Sequence, residues 1–92
     1  MNYYAVFLPM KDEEKSKEFR PQHLAFLKQM KQKKKVFMNG RFTDGAGGLV
    51  IYAADSLDEA MSYLKEDPYI INGARDFEIH EWAMETDVEF DF

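Results

Sequence analysis

Residues 36–54 read VFMNGRFTDGAGGLVIYAA, two apolar runs on either side of a glycine-rich break. Residues 36–42 are expected to form one strand and residues 49–54 the next, because β-branched and aromatic side chains suit a pleated, half-buried surface. Between them TDGAGG, residues 43–48, supplies the backbone freedom of a turn, so the three segments make a hairpin. These glycines point to no phosphate chemistry. GAGG lacks the Lys-Ser/Thr of a phosphate loop and the glycine spacing of a dinucleotide fingerprint.

A helix signal lies on each side of the hairpin. Upstream, Pro21 suits a first helical position, and Phe19 before it can pack on Leu24 as a hydrophobic staple. Phe19, His23, Phe26, Leu27 and Met30 then recur at three- and four-residue steps, with Lys28, Lys31, Lys33 and Lys34 left for solvent. Residues 11–18 mix charges without periodicity and read as a solvated connection or a frayed lead-in. Downstream, Ser56 and Glu59 form a capping box before the stripe Leu57, Ala60, Met61 and Leu64, and Pro68 ends or kinks this second helix. Outside both helices lie two further strands, an apolar one at residues 2–9 and an alternating one at residues 75–84. The tail, residues 87–92, alternates acidic and apolar side chains and reads as a short fifth strand.

The order strand, helix, strand, strand, helix, strand is that of an α+β, ferredoxin-like βαββαβ fold with an antiparallel sheet. Ninety-two residues suit a single domain over residues 1–92. Two helices cover one face of such a sheet, yet the first and third strands carry large apolar residues on both faces. Leaving four or five of them wet forfeits ~1.5–3 kcal/mol each, comparable in sum with the ~5–15 kcal/mol stability of a small domain. A homodimer packed sheet to sheet is the expected solution, and an apolar ligand groove in a monomer is the alternative.

Seventeen acidic against twelve basic residues, net charge -5, oppose binding to a phosphate backbone, so no nucleic-acid partner is expected. The chain has no cysteine, and its two histidines lack HxxH or HExxH spacing, so no metal site is expected. No apolar run approaches the ~18 residues of a membrane helix, and the opening residues lack the regions of a signal peptide. The expectation is a soluble, cytoplasmic protein with no membrane partner.

In this topology the first helix starts at the edge where the second ends. His23 on the inner stripe of one and Asp67 on that of the other should therefore meet. An imidazolium near a helix N-terminus and a carboxylate near a C-terminus are each disfavoured, and pairing would relieve both. A carboxylate that accepts from one ring nitrogen fixes the histidine tautomer and leaves the other nitrogen free as a base or acid. Spacing alone favours a buried pair that only satisfies itself. Arg20 and Arg41 fall near the same edge, where they could hold an anionic substrate or form surface salt bridges. Tyr69 is expected either to line the pocket or to pack on Pro68.

RPQHL at residues 20–24, Gly40 after the second strand, and Asp67-Pro68-Tyr69 followed by Gly73 together resemble the YciI-like, or YCII-related, family over nearly the whole chain. The resemblance implies a ferredoxin-like fold, assembly in the manner of the dimeric α+β barrel superfamily, and an enzyme whose active-site histidine and aspartate fall here on His23 and Asp67. One branch of that family eliminates halide from chlorinated hydroxylated aromatics, and the superfamily includes muconolactone isomerases and cofactor-free oxygenases. Many relatives have Gly-Pro after the second strand, where this chain has Gly40-Arg41-Phe42. The expected function is a cofactor-independent lyase or isomerase acting on a small aromatic or carboxylated molecule. His23 and Asp67 would be catalytic, and Arg20, Arg41 and Tyr69 would bind substrate. The alternative is a non-catalytic homodimer that binds a small ligand or another protein.

Overall fold

Alternation of side chains sets the first strand. A computed structural model of the chain describes residues 1–89. In β1 (Asn2–Pro9) Tyr4, Val6 and Leu8 are buried while Tyr3, Ala5 and Phe7 on the opposite face are half-buried. Helix α1 (Glu13–Gln32) follows, then the hairpin of β2 (Val36–Arg41) and β3 (Gly47–Ala54). Two helices, α2 (Leu57–Leu64) and the one-turn α3 (Pro68–Ile71), lead into β4 (Glu78–Trp82). The strands pair antiparallel in the order β2-β3-β1-β4, which is the expected ferredoxin-like arrangement.

Four local expectations are corrected. Helix α1 begins at Glu13, so residues 13–18 are helical and Pro21 lies inside the helix. Asp12 caps it by accepting from the Lys15 amide at 2.9 Å, and the Asp12 amide bonds the Ala74 carbonyl. The first turns were illegible as a helix because their one buried side chain is Ser16, a polar residue that donates to the Ala74 carbonyl. The second helix ends at Leu64, and Pro68 opens α3 instead of ending α2. Strand β4 is shorter than residues 75–84, and residues 87–89 of the expected fifth strand form no strand; residues 90–92 lie outside the described residues.

One face of the sheet packs under the helices. Tyr4, Val6, Leu8, Val50 and Tyr52 meet Leu27 and Met30 of α1 and Ala60 and Leu64 of α2 in the core. Cross-strand partners assemble the other face: Tyr3 opposite Ala53 and Trp82, Ala5 opposite Ile51 and His80, and Met38 opposite Ile51. No helix covers it. Met38, Phe42 and Trp82 are 40, 38 and 43% exposed, and with Leu49 and Ile51 they line a shallow apolar groove of ≈ 270 Å³. Among the described residues no helix is long and apolar enough to cross a membrane.

Candidate active site

His23 sits in the middle of α1, where the stripe that buries Leu27 and Met30 also turns the imidazole inward. Asp67 is the N-cap of α3, and its Oδ1 accepts from the Tyr69 amide at 2.9 Å. The same oxygen lies 2.7 Å from His23 Nδ1, so the expected pair is brought together. The reason given for it from the helix ends does not hold. His23 is far from either terminus of α1, and Asp67 stands at a helix N-terminus, where a carboxylate is favoured.

Burial makes this contact consequential. Asp67 is 0% exposed and His23 8%, so the carboxylate depends on its partners for the polar contacts that water would give it. With Nδ1 donating to Asp67, the tautomer leaves the lone pair on Nε2, which makes no hydrogen bond among the described residues. Asp67 Oδ2 and the Tyr52 hydroxyl are both buried without a hydrogen-bond partner among those residues. Burial pushes the Tyr52 phenol far above its ordinary pKa, and the nearby Asp67 charge raises it further.

The Tyr69 ring stacks on His23 with centroids 3.8 Å apart and planes 11° from parallel. The guanidinium of Arg75 lies 4.6 Å from the centre of the same ring. Burial raises the Tyr69 pKa, and the charges of Arg75 and Arg20 partly oppose that rise. Tyr69 therefore lines the site and braces His23.

A cavity of ≈ 190 Å³ opens beside this stack, with His23, Tyr69, Arg20, Arg41, Arg75 and Asn39 on its walls. Leu24, Leu27 and Val50 supply apolar surface. All five site residues expected from the sequence thus belong to one place: His23, Tyr69, Arg20 and Arg41 on the wall and Asp67 immediately behind it. Asn39 and Arg75 were missed. Arg75 follows Gly73, whose φ of 70° turns the chain back so that Arg75 bridges Met10 next to β1. That glycine was the signal available. Asn39 carries a buried Oδ1 with no partner among the described residues, which no sequence pattern announces. His80 pairs with Glu78 at 3.0 Å on the exposed outer face, away from this cavity.

Comparison with known proteins agrees with the fold. An uncharacterized protein, YjpA, from Bacillus subtilis strain 168 is 33% identical over 82 residues, spanning 89% of this chain and 96% of that protein. The solved structure of 5-chloro-2-hydroxyhydroquinone dehydrochlorinase (TftG) from Burkholderia phenoliruptrix AC1100, in complex with 2,5-dihydroxybenzoquinone, shares the fold with a TM-score of 0.77. It is 20% identical, and the match covers 90% of this chain and 95% of that one. MtbAldR matches at a TM-score of 0.62 and 13% identity over 92% of this chain and 55% of its own. The model of the YCII-related domain matches residues 1–83, and the chain belongs to that family.

Proposed function

We propose that the protein is a single-domain, cofactor-independent enzyme of the lyase or isomerase type, acting on a small aromatic or carboxylated molecule. One observation carries this reading: the imidazole of His23 is held through Nδ1 by a buried carboxylate while its ring forms part of a cavity wall. Nε2 takes a proton from the substrate. The electron pair left behind forms a double bond to the adjacent carbon as a leaving group departs from it with its bonding pair, or it displaces an existing π bond there, whose far carbon takes the proton back from the imidazolium. Asp67 orients the ring and stabilises the imidazolium formed, and Arg20, Arg41 and Tyr69 contact the substrate. The structural neighbour TftG, a dehydrochlorinase of a hydroxylated aromatic, supports this class of chemistry.

A second copy would cover the outer sheet face, where the apolar side chains of Met38, Phe42 and Trp82 meet solvent. The competing reading, a pair that only satisfies itself, draws on the near-complete burial of both partners. Removing the ring altogether cannot separate the two, because either reading leaves Asp67 buried and unpaired at a cost of ~3–5 kcal/mol. His23→Asn can. The asparagine amide reproduces a donor at the Nδ1 position but offers no base. Incubating both proteins with a panel of hydroxylated, chlorinated and carboxylated aromatics in deuterated water, and following elimination and deuterium uptake by NMR, should give ~100- to 10,000-fold slower turnover in the variant. Equal rates in a folded variant would contradict the catalytic role.

A further inference from the structure

The cavity beside His23 carries three arginines, Arg20, Arg41 and Arg75, and no carboxylate side chain on its walls. None of the three forms an ion pair among the described residues, although the chain has seventeen acids and a net charge of -5. Like charges gathered at one small site repel, and a bound anion would relieve them.

Arg75 is the best fixed of the set. Its Nε donates to Ser16 Oγ at 3.0 Å, its Nη1 donates to the Leu8 carbonyl at 3.2 Å, and its plane lies by the Tyr69 ring. Two of the five N–H donors of a guanidinium are thereby used, which leaves hydrogens on Nη1 and on Nη2. That remaining end has the spacing for a two-point bond to a carboxylate. Because the side chain is already immobilised, little rotamer entropy is lost when it binds. Size sets a second limit. A cavity of ≈ 190 Å³ is smaller than the ~300–1,000 Å³ of sites for drug-sized ligands, so the ligand is about one ring or less.

We propose that this cavity binds a small carboxylate, with Arg75 as its fixed anchor and Arg20 and Arg41 as outer charges. The inference rests on reading the cavity as the substrate site and names the class of molecule it takes.

The test is equilibrium binding to the intact protein of 4-hydroxybenzoate and of 4-hydroxybenzamide, which differ in charge but hardly in shape. The carboxylate should bind about tenfold tighter or more, as a charge-assisted bond predicts, and this preference should shrink as salt is raised. Arg75→Gln should abolish the preference. Since Arg75 also ties α1 to β1, Arg41→Gln at the exposed rim provides a second variant, expected to weaken carboxylate binding by about two- to fivefold. A carboxylate that binds no tighter than the carboxamide, or a preference unchanged in both variants, overturns the proposal. The outcome separates from the fate of the catalytic reading. Charge-selective binding alongside equal turnover by wild type and His23→Asn would keep the anion site and remove the base. Turnover that needs His23 without any charge preference would remove the anion site alone.

Discussion

Asp67 concentrates more of the site than any other residue, because a single oxygen serves both the α3 cap and His23. Asp67→Ala should therefore cost more than the ~1 kcal/mol of an ordinary cap, because it also leaves the buried His23 Nδ1–H without its acceptor at ~1–3 kcal/mol, as read by urea unfolding. Tyr52 makes an alkaline prediction. Its folded pKa lies far above the ordinary tyrosine value, so the fold favours the protonated phenol. That contribution is complete below pH ~10 and is lost as pH rises beyond it. Tyrosine ultraviolet titration should find one phenol that ionises only as the protein unfolds, and Tyr52→Phe should remove this alkaline loss of stability. The paired motifs RPQHL and DPY made His23, Asp67, Arg20 and Tyr69 readable in advance. Asn39 was not readable and Arg75 only indirectly, through Gly73, because what brings them to the cavity is a strand register and a turn, neither of which is local to the residue.

At the scale of the element, the hairpin was legible and the start of α1 was not. Alternating apolar residues and a glycine run are local signals, whereas the first turns of α1 are held by Ser16 and Asp12 against the distant Ala74. Tertiary contact extends the helix through Pro21, which lacks the N–H that would bond the Lys17 carbonyl. Pro21→Ala should raise the melting temperature. The helix gains up to ~3 kcal/mol, and the more flexible unfolded chain returns about 1 kcal/mol of it. Gly47 is the opposite case. Its φ is 140° and a Cβ there would run into the Leu8 carbonyl oxygen, so Gly47→Ala should lower the urea midpoint by at least the ~1–3 kcal/mol of a strained backbone.

Across the whole molecule, the two faces of one sheet divide the work: the inner face builds the core and backs the cavity, and the outer face presents apolar side chains. Apolar residues on both sides of β1 and β3 already marked a sheet needing two covers. Sedimentation equilibrium should find a dimer at micromolar concentration, and Met38→Glu on the outer face should shift it to monomer, since a buried unpaired charge is costly. A clean wild-type monomer would instead favour the apolar groove as a ligand site. The proton-moving couple is the centre of the account, and the ratio of turnover rates between wild type and His23→Asn tests it most directly, on any panel compound the wild type converts and below both melting temperatures. A fall of ~100- to 10,000-fold is predicted, with binding of 4-hydroxybenzoate retained; an unchanged rate in the folded variant would contradict it.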